Sequence, residues 1–224
     1  MQTLTHARIR ATVAFIGAFG FSMTAGATTL PYTETFDTDA AAWRNFNNAA
    51  VATWNAGGYI SESSAFDGTD PNTPLTLVRA NGGFDSSGDA FVGNWIADGV
   101  TSFSFDVRHN SPAPVNFFAR FVSQAGFPGA IGVGFIPVLP NTWTTVTIAI
   151  DELNPQFVSF ETSNFNTVFS NIARIQLGVM AGALSGNTNT FEFDFDNATI
   201  TPEPSALALV GLAAAALVRR RGGA

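Results

Sequence analysis

Apolar and polar residues alternate along most of this chain with a period of two. In residues 102–108, Phe103, Phe105 and Val107 fall on one side, and Ser104, Asp106 and Arg108 on the other. Residues 143–150 set Val146, Ile148 and Ile150 against Thr145, Thr147 and Ala149. Residues 174–180 group Ile175, Leu177 and Val179, and residues 190–200 align Phe191, Phe193 and Phe195. This period marks strands with one buried face. Further strands are expected over 28–37, with Tyr32, Glu34 and Phe36 on one side, and over 51–54, 58–60 and 75–79. Others are expected over 89–95 with a bulge at Gly93, over 115–123 and over 130–138. Residues 61–74 are polar and without period, Gly82-Gly83 breaks the chain, and Pro112 and Pro114 end the run over 102–108. Residues 157–169 read as loop with a helical portion. No convincing amphipathic helix and no internal repeat is present. The pattern predicts an all-β fold, a sandwich of two antiparallel sheets with the strand count of a jelly roll.

The two ends depart from this pattern. Residues 1–10 carry His6, Arg8 and Arg10 without an acid, 11–23 are apolar, and Ala25-Gly26-Ala27 has the small-residue form of a cleavage site. This predicts a signal peptide over 1–27. At the other end Pro202-Glu203-Pro204 precedes an uncharged apolar run over 205–218, and then Arg219, Arg220 and Arg221. The two prolines make the triplet a stiff spacer. Fourteen helical residues span about 21 Å, less than the ~30 Å hydrocarbon core. A core helix, however, would have to expose three arginines at once. The run is therefore expected to be a short transmembrane helix, accommodated by bilayer thinning and snorkelling arginines. Triplet, apolar run and arginine cluster in this order resemble the PEP-CTERM sorting signal of Gram-negative bacteria. The resemblance covers residues 201–224. It implies recognition by an exosortase-type membrane protease, transient residence in the inner membrane and cleavage near Pro202-Glu203-Pro204. Delivery to the cell surface or extracellular matrix follows, often into exopolysaccharide or biofilm.

The remaining body, 28–200, suits one domain. It has no cysteine, so packing or a metal must hold it, and the chain's 22 phenylalanines supply the core. All 17 acids fall between Glu34 and Glu203, against five arginines (44, 79, 108, 120 and 174) over the same stretch, and lysine is absent. A domain this acidic repels nucleic acid, which is excluded as a partner.

The stretches 93–109, 141–153 and 191–200 resemble laminin B-like and carbohydrate-binding jelly-roll modules. In such modules the first and last strands meet and often share a structural calcium. Carried over, this implies Ca2+ at Glu34, Asp37 and Asp196, with Asn197 as a weaker fourth ligand. The Asp/Asn loop at 67–72 is a second candidate, more simply read as a turn. Period two also places Glu192, Asp194 and Asp196 on one face, where a solvated face is the simpler reading. Trp43, Trp54, Trp95 and Trp143 are candidate sugar platforms, although tryptophan in a strand is more often core. The pattern assigns no glycan-binding residue. After the signal peptide one histidine remains, His109, and no nucleophile motif or zinc ligand set is present. The expectation is a non-enzymatic protein, structural or adhesive in exopolysaccharide or biofilm and able to bind glycan. The alternative is a secreted jelly-roll enzyme acting on glycans, since a glycosidase needs only two carboxylates.

Overall fold

The computed structural model describes residues 30–203. Their strands are β1 (Tyr32–Glu34), β2 (Arg44–Asn45), β3 (Thr53–Asn55), β4 (Tyr59–Ser64), β5 (Pro74–Asn81) and β6 (Val100–His109). They continue with β7 (Phe117–Ser123), β8 (Gly129–Val133), β9 (Thr144–Ala149), β10 (Phe157–Ser159), β11 (Ile172–Met180) and β12 (Phe191–Pro202). Sheet I has the order β3-β4-β12-β6-β9, with β1 also pairing β12, and sheet II has the order β10-β8-β7-β11-β5-β2. Every pairing is antiparallel, so the sandwich expected from the alternation is the one observed.

The alternating residues do what their period requires. Phe103, Phe105 and Val107 of β6, and Phe193 and Phe195 of β12, are buried against Phe117 and Phe121 of β7 and Ile175 and Leu177 of β11. Trp95 closes this core, edge-on to Phe121 at 5.4 Å. A phenylalanine buried in this way contributes about 1.5–3 kcal/mol. In sheet II, Gly178 sits at a register shift between β11 and β5, where a Cβ would meet the Leu75 carbonyl at 2.1 Å. No other residue fits there.

Three expectations change. Residues 61–64 continue β4, because the ladder from Phe191 to Phe195 pairs with Ser64 to Ile60 whatever the side chains. Residues 89–95 form no strand. Asp85, Ser87 and Asp89 take positive φ (56°, 54° and 60°) in two tight turns, and Phe91 and Trp95 enter the core from a loop. Turn chemistry overrides the apolar run, and only Gly93 bridges, to Ile172. Within 157–169 the chain makes β10 and a short helix α1 (Phe165–Phe169). Asn164 caps α1 by accepting from the Thr167 N–H at 2.9 Å. A helix this short cannot hold itself, and Phe169 anchors it on Phe121 and Phe157.

Candidate functional site

The outer face of sheet I gathers side chains from three strands. Asp194 of β12 lies opposite Arg108 of β6, and Val107 opposite Thr144 of β9, which brings Trp143 beside Arg108. Arg108 donates from Nε to Asp194 Oδ2 at 2.8 Å, and its Nη2 lies 2.7 Å from the same oxygen. Its Cζ is 4.8 Å from the Trp143 ring centre and 5.2 Å from that of Tyr59. The two rings meet edge to face at 5.6 Å. Burial works to lower the Arg108 guanidinium, but its bond and charge pairing with Asp194, helped by Tyr59, hold it above its ordinary value. Trp143 stays 39% exposed.

Beside this platform is a cavity of about 210 Å³ lined by Arg108, His109, Asn110, Asn141, Glu192 and Asp194. Asp194 is only 6% exposed, and its Oδ1 is buried without a partner among the described residues. His109 is structural. Its Nε2–H donates to the Val138 carbonyl at 3.0 Å, which leaves Nδ1 to accept from the Ser111 hydroxyl at 2.7 Å. Burial lowers its pKa and keeps the ring neutral. An exposed ring flanked by carboxylates, amides and a fixed guanidinium suits a polyhydroxylated ring. The aromatic face takes its C–H surface, and the polar groups take its hydroxyls.

Of the four candidate tryptophans only Trp143 joins this site. Trp43 and Trp95 are core, with indole N–H groups donating to Ser87 Oγ and the Phe91 carbonyl. Trp54 is half-exposed on the edge strand and donates to the Phe36 carbonyl at 2.7 Å. The simple picture of Glu192, Asp194 and Asp196 as one solvated face is corrected, since Asp194 is buried in an ion pair. The sequence reading missed Tyr59, Arg108 and Asp194 as a unit. The available signal was Arg108, the one cation on the outward side of 102–108.

The calcium candidates share a second patch at the β1–β12 junction. Asn197 sits at a bulge in β12 with φ 48° and donates from Nδ2 to Asp106 Oδ2 at 2.9 Å. Glu34 accepts from the Tyr32 hydroxyl at 3.0 Å, and burial and this carboxylate push the Tyr32 pKa up to about 12. Asp37 accepts from Thr35 Oγ1 at 2.7 Å. Asp196 is pushed up to about 6, first by burial and then by the charges of Asp106, Asp37 and Glu34, against a lowering bond from the Asn197 N–H. The carboxylates therefore sense one another, but their oxygens are turned to internal donors. Among the described residues no three acids or histidines converge as an ion requires. The loop at 67–72 is a turn in which Asp70 Oδ1 accepts from the Asn72 N–H.

Of the sorting motif, Pro202 is no spacer. It ends β12 opposite Val100, where a strand needs no further N–H, and the Glu203 N–H donates to the Gly99 carbonyl at 2.8 Å. Pro204, the expected helix over 205–218, Arg219–Arg221 and the expected signal peptide over 1–27 lie outside the described residues. Among the described residues no helix is long and apolar enough to cross a membrane.

Residues 201–221 match the PEP-CTERM protein-sorting motif, so the chain carries the mark of export and exosortase processing. A comparison with curated proteins returns no match. Among solved structures the chain is similar to an agarase (13% identity, TM-score 0.49), matching over 78% of this chain and 24% of that one. It thus spans about a quarter of that enzyme's length. It is also similar to a family 11 carbohydrate-binding module from Clostridium thermocellum in complex with a mixed-linked tetrasaccharide (14%, TM-score 0.38, 77% of this chain and 95% of that one). A third is a xylan-binding domain of family 22 (13%, TM-score 0.37, 76% and 93%).

Proposed function

We propose that this exported chain is a non-enzymatic glycan-binding module. It holds a sugar on the outer face of sheet I, between the Tyr59–Arg108–Trp143 platform and the cavity beside it. Its role outside the cell is structural or adhesive, in exopolysaccharide or biofilm. The observation that carries this is Asp194. Arg108 fixes its Oδ2, and this pair holds the guanidinium against the Trp143 and Tyr59 rings while Trp143 stays 39% exposed beside the polar cavity. An exposed ring held rigid in this way loses little side-chain freedom when a sugar stacks on it. The same ion pair weighs against catalysis, because Arg108 already occupies the buried carboxylate of the two that line the cavity. A glycan array with the full chain in detergent tests this. Binding without release of reducing ends is expected; release of reducing ends would establish the enzyme alternative instead.

We also propose calcium at the β1–β12 junction, where Glu34, Asp37 and Asp106 add their charges to burial in raising Asp196. Because the side chains do not converge, Glu34, Asp37, Asp196 and Asn197 would supply part of the shell and water the rest. Added Ca2+ is expected to raise Tm at neutral pH, with EDTA reversing it; an unchanged transition removes the site.

A further inference from the structure

Four of the five arginines within residues 30–203 stand on the outer face of sheet II, in a domain that is otherwise acidic. Register puts them together. Arg44 of β2 pairs with Arg79 of β5, Arg79 pairs with Gln176 of β11, and Gln176 pairs with Arg120 of β7, forming one row across four strands. Arg174 is two residues from Gln176 on the same side of β11. Adjacent strands lie about 4.8 Å apart, so the row places cations at about 5 and 10 Å intervals.

One carboxylate meets this row, and it is committed. Glu161, held at a positive φ of 48°, takes Arg120 through two bonds of 2.5 and 2.6 Å. Gln176 occupies a third Arg120 nitrogen at 3.1 Å. Arg44 donates to the Asn48 carbonyl at 2.9 Å and lies over the Phe84 ring at 4.4 Å. The Nε atoms of Arg44, Arg79 and Arg174 are buried without a partner, and none of these three arginines enters a salt bridge among the described residues. Burial, and then the charges of Arg174 and Arg120, lower the Arg79 pKa; burial and Arg120 lower that of Arg174. With 17 acids available, the sequence spends almost none of them here. A guanidinium cluster that the fold leaves unneutralised is a recognition surface for an oxyanion, which the planar fork binds through two bonds.

We infer that the outer face of sheet II binds an acidic saccharide, through carboxylate or sulfate groups that bridge Arg79 and Arg174 with Arg44 beside them. The inference rests on the proposed function only in placing the chain among saccharides; it uses a different face and different residues. A saccharide fits better than a nucleic acid. A duplex carries one charge about every 1.7 Å, which the acids elsewhere on the domain would repel, whereas three arginines outside any salt bridge among the described residues match charges spaced along a sugar chain.

The test measures binding of the full chain in detergent to polygalacturonate, dextran sulfate, neutral dextran and a single-stranded DNA oligonucleotide, at low and high salt. Binding to polygalacturonate or dextran sulfate that weakens with salt is expected, and the preferred polymer distinguishes carboxylate from sulfate. The double variant Arg79→Gln/Arg174→Gln should lose about tenfold or more in affinity, since each charged hydrogen bond contributes about 1.5–3 kcal/mol. Its Tm should rise rather than fall, because repulsion is removed while no partner is lost. Trp143→Ala should leave polyanion binding unchanged, which separates this face from the sheet I site. Equal binding by the double variant, equal binding of neutral dextran by the Trp143→Ala variant, or DNA bound as tightly as the polysaccharides would each overturn the assignment.

Discussion

The two outer faces of this sandwich use charge in opposite ways. On sheet I the acids outnumber the cations, and the one arginine present is locked between a buried carboxylate and two rings. On sheet II the arginines outnumber the acids, and the one carboxylate meeting their row is locked, while Arg79 and Arg174 enter no salt bridge among the described residues. A paired charge in a partly dry site fixes geometry; an unpaired one is held in readiness for a counter-charge from outside. The proposed sugar site accordingly uses the rigid platform of sheet I, and the proposed anion site uses the arginines of sheet II. Both faces rest on the same phenylalanine core, so the difference lies wholly in outward side chains.

The largest effect should come from breaking the sheet I pair. Arg108→Met keeps the stem against Tyr59 and Trp143 but strands Asp194, and about 3 kcal/mol of stability is expected to be lost in a denaturant titration. Adding Asp194→Leu should restore most of it. A smaller loss is expected on sheet II from Glu161→Gln, about 2 kcal/mol, because it frees a further arginine in the row. The Arg120 hydrogen bond depresses the Glu161 pKa, against burial. Its contribution is therefore present above the unfolded carboxylate pKa and is lost as pH falls through the folded value, so wild type and Glu161→Gln should converge in acid.

Asp196 carries the opposite sign. Its folded pKa of about 6 exceeds the unfolded value, so its stability is fully present below the unfolded pKa and is lost as pH rises through about 6. Asp196→Asn keeps an acceptor for the Asn197 N–H and removes the charge. After discounting for solvent screening, a gain of about 1 kcal/mol is expected at pH 7–8 and none near pH 4, read from urea midpoints at the two pH values. The smallest effect, about 0.5 kcal/mol of added stability, is expected for Arg79→Gln alone.

The sandwich was readable where one face of a strand is uniformly apolar. The alternations in β6, β9, β11 and β12 appear where the sequence places them, because a period of two has one solution against a core. It failed at Phe91 and Trp95, whose spacing of four serves a loop that inserts two large side chains, and at Ser61–Ser64, whose strand is imposed by β12. The platform was half readable: Trp143 shares parity with the outward Thr145 and Thr147, which Trp43 and Trp95 lack. Arg108 and Asp194 lie 86 residues apart, and only the β6–β12 register joins them. The row of Arg44, Arg79, Gln176 and Arg120 draws one residue from each of four strands, so no local pattern could show it. Pro202 read as a breaker, yet it closes the last strand opposite Val100.

The most direct measurement is calorimetric titration of the best array glycan into the full chain and its Trp143→Ala and Asp194→Asn variants, with Tm recorded alongside. The account predicts about tenfold weaker binding for Trp143→Ala, whose ring is exposed and carries little of the fold. It also predicts a loss for Asp194→Asn, which weakens the ion pair that fixes Arg108 against the rings. Affinity unchanged in both variants would contradict a sugar site on sheet I.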